Sequence, residues 1–184
     1  NGLLESAVSV KLTDTKLNFD GTIGADYGID IGGTDVDLFK LTLPMDGDLL
    51  IDIDTPFNSN FVDSYVRIFD IDGNQVHTND NRLSEDRNGN ATEYTDNDYP
   101  SLVFEHAVER EFYDGHTTDS FAIGSGLTKG VTYYVGVSDR ANQQYNPNNT
   151  SGRQAGPGGL YEIHFEFFPA DLNGIIDVKS NVTE

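Results

Sequence analysis

A single stretch, Asp63 to Asn81, narrows the folds open to this chain more than any other. Its sequence, DSYVRIFDIDGNQVHTNDN, alternates Tyr65, Arg67 and Phe69 with Val66 and Ile68, reaches Asp72-Gly73-Asn74, and resumes in Gln75 to Thr78. Asp-Gly between two alternating runs is a strong hairpin signal, because a two-residue primed turn needs positive φ and glycine supplies it with no Cβ clash. Pairing the two strands brings Asp63 and Ser64 at the entry beside Asn79, Asp80 and Asn81 at the exit. One end of the hairpin therefore gathers side-chain oxygens.

The rest of the chain repeats the pattern. A short first strand is expected around Val8 to Leu12, followed by the Gly/Asp-rich passage FDGTIGADYGIDIGGTDVD, which reads as a loop. Leu38 to Leu43 alternates, with Phe39, Leu41 and Leu43 on one face, and Leu49, Ile51 and Ile53 line the next strand. Asp119-Ser120 opens a further strand. Val131 to Ser138 is the clearest strand, and Leu160 to Phe167 places Tyr161, Ile163, Phe165 and Phe167 inward. No long helix and no internal repeat is legible. The expected architecture is all-β, a jelly-roll-like antiparallel β-sandwich with long acidic loops at one end.

At 184 residues the chain suits one domain. The expected division is a linker at 1–7, a sandwich at 8–167 and an exit linker at 168–184, with the irregular segment 82–118 as a loop insertion. A structureless loop of that length is unusual and often functional; the other reading is a solvated acidic insertion.

Charge excludes whole classes of partner. Eleven Lys and Arg against 31 Asp and Glu give a formal charge of −20 and a pI near 4.2. Such a field repels nucleic-acid phosphates and anionic lipid and attracts cations. Nine Tyr, eleven Phe and 36% hydrophobic residues are too many core formers for a disordered tail. No apolar run reaches membrane-spanning length, so no membrane insertion is expected. With no cysteine, disulfides and thiolate metal sites are excluded. The composition suits an exported protein in a calcium-rich exterior, where ions staple loops.

Carboxylates and amides at strand ends are calcium chemistry, since calcium takes six to eight oxygens, mostly from loops. The expected set is Asp63, Asp80, Asn81, Asp119 and Asp139; the alternative is that Asp and Asn merely favour turns. Asp35 and Asp37 either hold a second ion or guard a strand edge. Asp70, Asp72 and Asn74 start like an EF-hand loop, but no Glu closes it, and the hairpin turn explains them better.

In a chain so poor in cations, Arg140 and Arg153 stand out. With Tyr145 they form a candidate ligand-binding loop, because an arginine fork reads a carboxylate bidentately; surface ion pairing is the alternative. Tyr94, Tyr99 and Tyr113 either stack on a ligand or pin the long loop. No catalytic residue is expected. His77, His106, His116 and His164 lack HExxH spacing, and no glycine stands two places before Ser125.

In order, DVDLFKLTL (35–43), the 63–81 stretch, DSFAI (119–123), GVTYYVGVSD (130–139), YNP (145–147) and GGLYEIHFEF (158–167) resemble the bacterial pre-peptidase C-terminal domain. The resemblance implies a non-catalytic β-sandwich, appended to secreted peptidases or embedded in large calcium-dependent surface proteins. The family passes from the NDN-like exit to the DS-like entry by a short loop, whereas 82–118 intervenes here. Enlarged modules of this kind in giant adhesins capture a peptide's terminal carboxylate at calcium. The implied function is a calcium-dependent, extracellular ligand-binding module, a monomeric domain of a larger chain, recognising a peptide or glycan on another cell. The alternatives are a calcium-stabilised spacer and a carbohydrate-binding accessory to a secreted enzyme.

Overall fold

The computed structural model describes residues 2–12, 16–55, 62–79, 84–85, 91–92 and 120–170. Among them, strands β1 (Val8–Val10), β2 (Lys16–Ile23), β3 (Ala25–Asp26), β4 (Ile29–Asp30), β5 (Val36–Thr42), β6 (Gly47–Asp54) and β7 (Ser64–Phe69) fill the first part. They are followed by β8 (Gln75–Asn79), β9 (Ser84–Glu85), β10 (Ala91–Thr92), β11 (Phe121–Leu127), β12 (Thr132–Asp139) and β13 (Gly159–Pro169). One sheet runs β1-β5-β12-β7-β8 and the other β11-β6-β13-β2, and apart from the β7-β8 hairpin successive strands of the sandwich lie in opposite sheets. All pairings are antiparallel except β1 with β5. The protein is an all-β sandwich.

The period-two alternation fixes which side chains meet between the sheets. Phe39, Leu41, Val66, Ile68, Val135 and Val137 from the first sheet pack on Ile51, Ile53, Ile163, Phe165 and Phe167 from the second, all essentially buried. A second apolar cluster covers the outer face of the first sheet, where Val36, Leu38, Phe69 and Tyr134 lie under Tyr145. Leu4 and Ala7 pack against it, Leu4 N–H donates to the Pro147 carbonyl, and the Gly2 carbonyl accepts from Arg153. Residues 2–7, expected as a linker, are docked on the domain.

The largest difference from the sequence reading is β2, whose residues 19–23 open the Gly/Asp-rich passage that reads as a loop. Leu17, Phe19, Gly21 and Ile23 do alternate, and the strand pairs unbroken with β13. Gly21 reads as a breaker, yet any Cβ there would collide with the Tyr161 ring. It is a packing glycine. The central hairpin forms as expected between β7 and β8, but its turn is longer than two residues. Asp70 N–H donates to the Asn74 carbonyl around Ile71–Gly73, and Gly73 takes the positive φ of 82°. The Asp70 carboxylate accepts from the Asp72 and Asn74 N–H groups and the Asn74 amide, which makes it a turn cap.

Register also builds a charged patch on the outer face of the second sheet. Asp20, Glu162 and Asp54 form one cross-strand row, and Asn18, His164 and Asp52 form the next. His164 Nε2 lies 2.9 Å from Asp54 Oδ2 and 3.9 Å from Glu162 Oε2. Burial, the largest influence, pulls the imidazole pKa down, but the Asp54 hydrogen bond and the charges of Asp54, Asp52 and Glu162 together raise it. This stabilisation is fully present below about pH 6.5 and is lost as pH rises through the raised folded value. Replacing His164 with Gln should remove about 1 kcal/mol on the acid side and little at pH 8, measured by urea unfolding across that range. A uniform loss at both pH values would contradict it.

Candidate metal centre

All the long connections leave one end of the sandwich. β2 ends there, β5 begins there, and so does β7, while β12 exits there and β13 enters there. The first of these connections, between β2 and β5, folds into the small hairpin β3-β4. Its turn is Tyr27-Gly28, both with positive φ, at 49° and 79°. That is the conformation a two-residue primed turn demands, and glycine reaches it readily. At the hairpin base the Gly24 carbonyl accepts from the Ile31 and Gly32 N–H groups. The Gly24 N–H in turn donates to Asp35 Oδ2, which ties the hairpin base to the start of β5.

Asp35 and Asp37 lie at that start, continuing the inward row of Phe39 and Leu41 to the end of the core. Both are buried, at 1% and 4% exposure. Asp26, on the hairpin, joins them, and one ligand oxygen from each of the three carboxylates lies within 4.8 Å of the others. Oxygens bound to one calcium lie at most about 5 Å apart, twice the Ca–O distance, so the set fits a hard cation.

The electrostatics agree. Burial pushes the Asp35 pKa up; N–H donation from Gly24 to Oδ2 and from Val36 to Oδ1 opposes that shift, and Asp26 adds to it. Tyr161 Oη donates to Asp37 Oδ2 over 2.6 Å, and its own pKa is driven well up by burial and by Asp37. Three like charges share one partly desolvated space, and a divalent ion would relieve their repulsion.

Of the metal set expected from sequence, Asp80, Asn81 and Asp119 lie outside the described residues. The structure brings Asp63 and Asp139 to the same end, since Ser64 pairs with Asp139. Ser120, which follows Asp119, is tied to that corner: its N–H donates to Ser64 Oγ and its hydroxyl to the Ser64 carbonyl. Asp139 is buried and uses Oδ1 to cap the 3-10 turn Arg140–Asn142 through the Ala141 N–H. Burial raises its pKa, opposed by the N–H groups of Ala141 and Asp63. Asp63 lies 3.8 Å from Arg140.

The three candidate ligand-binding residues occupy different settings. Arg140 is half exposed at the rim. Tyr145 is 1% exposed and wedged against the outer face of the first sheet, where its ring packs edge-on to Phe69 at 5.8 Å. Arg153 ties the connection back to the body, donating to the Gly2 carbonyl at 2.6 Å and the Thr34 carbonyl at 3.4 Å. Tyr145 and Arg153 thus hold the 140–158 connection in place.

Sequence reasoning singled out Asp35 and Asp37 but missed Asp26. The Tyr-Gly pair after Asp26 was the available signal, because a primed turn there folds Asp26 back over Asp35.

No family model matches the chain, and no curated protein matches it. Solved structures similar to it include the pre-peptidase C-terminal domain of collagenase from Bacillus anthracis, at 11% identity and a TM-score of 0.44, covering 88% of this chain and 95% of that one. A periplasmic inhibitor of g-type lysozyme from Aeromonas hydrophila has 9% identity and a TM-score of 0.43, covering 88% and 97%. Its counterpart from Salmonella Typhimurium has 12% identity and a TM-score of 0.38, covering 88% and 100%. The fold class itself rests on the two sheets described above.

Proposed function

We propose that this chain is a non-catalytic, calcium-dependent ligand-binding module of an extracellular bacterial protein, with its binding surface on the loops at one end of the sandwich. The observation that carries the reading is the carboxylate trio Asp26, Asp35 and Asp37 at the base of the β3-β4 hairpin. Calcium there would lock the hairpin onto β5 and order the neighbouring loops. Asp63 and Asp139, which lie at the same end, would contribute oxygens to a second cation site there. The net charge of −20 favours cations at both places, and the pre-peptidase C-terminal resemblance points to the same setting. Peptide and glycan are the ligand classes in view, with an adhesin as parent protein.

The test is a screen of the intact chain against mixed glycans and short peptides with free or amidated C-termini, in calcium and again in EDTA. Binding that disappears in EDTA is the expected result, and loss on amidation identifies a terminal carboxylate as the group recognised. Calcium binding without any ligand in either buffer would replace this reading with that of a calcium-stabilised spacer. Sugar binding that survives EDTA would mark an accessory carbohydrate-binding domain.

A further inference from the structure

The four sheet edges are not equivalent. β1 has three residues, β8 has five, and β11 has seven with a register shift between Gly124 and Leu127. β2 has eight residues in unbroken register with β13 and, among the described residues, pairs with no other strand. Short length, bulges, proline and inward charge are how edges are kept from pairing with other chains. β2 has no proline and no bulge, and between Leu17 and Ile23 its sole charge is Asp20. No backbone hydrogen bond joins its open side to another described residue.

The side chains beside this edge are equally open. Asn18, Phe19 and Asp20 are exposed. Phe19 points to the core rim, stacked on Phe39 at 6.3 Å and edge-on to Phe165 at 6.2 Å, yet 37% of it faces solvent. On the opposite face Asp20 begins the acidic row that continues through Glu162 to Asp54. His164, against Asp54 from the next row, reaches the far end of that row and leaves the Asp20 end acidic.

We infer that β2 is a docking edge for an extended segment of another polypeptide, added as a further strand, with apolar residues lying on Phe19 and basic residues facing Asp20. Backbone ladder bonds supply the affinity in such strand addition, and alternate side chains supply the selectivity. A second copy of this chain is the poorer occupant, because each carries a charge of −20. No β2 residue belongs to the carboxylate trio, so occupancy of the edge does not require calcium.

The test uses a fluorescent eight-residue probe of alternating lysine and valine, titrated against the intact chain in EDTA at physiological salt and followed by anisotropy. Two comparisons accompany it: the same probe N-methylated at alternate amides, which keeps its charge but removes ladder donors, and the exposed variant Asp20→Lys. The expected result is binding that weakens at least about tenfold on N-methylation and about fivefold in the variant. Equal binding of the N-methylated probe would reduce the effect to charge attraction and overturn the inference, as would no binding at all. A sedimentation experiment showing a dimer that the Asp20→Lys variant dissociates would assign the edge to a second copy instead.

Discussion

Replacing Tyr145 with Ala is expected to destabilise the fold by about 3–5 kcal/mol, the range for deleting a buried aromatic ring. The ring fills the outer cluster with Val36, Leu38, Phe69 and Tyr134, and its hydroxyl sits over Gly136, where any Cβ would collide with it. The Arg67 guanidinium lies 4.6 Å from the centroid of each of the Tyr145 and Phe69 rings, which touch edge-on, and donates to the Tyr145 carbonyl. Removing the ring therefore opens a cavity and takes away one of the two aromatic contacts of Arg67. A melting temperature lower by roughly 10 °C or more is the readout. Tyr145→Phe should cost less than about 1 kcal/mol, because it keeps the ring and its packing. If Tyr145→Ala leaves stability unchanged and abolishes ligand binding, the residue belongs to a binding surface and not to the core.

The second large effect is on the calcium linkage. At calcium concentrations a hundred times the dissociation constant, binding to the folded state alone adds about 2.7 kcal/mol of stability. Without the ion, Asp35 opposes folding at neutral pH. Its folded pKa is raised, so the native state holds its proton more tightly than the unfolded chain, and the deprotonation penalty appears as pH rises from 3.8 through the raised value. Lowering the pH should thus relieve this one group in the calcium-free protein. The gain on adding calcium should shrink as pH falls, because protons compete for the same oxygens. Thermal melts with and without EDTA at several pH values check both signs. Asp26→Asn should remove most of the calcium gain while leaving the EDTA melt nearly unchanged. Asp35→Ala should lower both, since it also strands the Gly24 and Val36 N–H groups.

Much of the sandwich was legible because alternation in β5, β6, β7, β12 and β13 records directly which face is buried. β2 was not, because the signal at Gly21 has two causes. A glycine that breaks a strand and a glycine that admits the Tyr161 ring look alike until the partner strand is known. The position of the central hairpin's turn is legible at Asp72-Gly73, but its length is not, since Asp70 caps it through contacts that Asp-Gly alone does not reveal. Tyr145 and Arg153 were singled out for their chemistry in a polar loop; that the loop folds back on the sheet depends on packing over Gly136 and on the Gly2 and Thr34 carbonyls, all distant in sequence. Asp26 was invisible for the same reason, since its proximity to Asp35 depends on the β3-β4 turn.

The most direct test is a calorimetric titration of calcium into the chelator-treated chain, run beside the double variant Asp26→Asn, Asp37→Asn. The expected result is a binding event in the parent chain that is absent, or weakened at least about tenfold, in the variant, with any ion bound near Asp63 and Asp139 retained. An identical isotherm for the two proteins would show that the trio holds no calcium and would remove the basis of the proposed function.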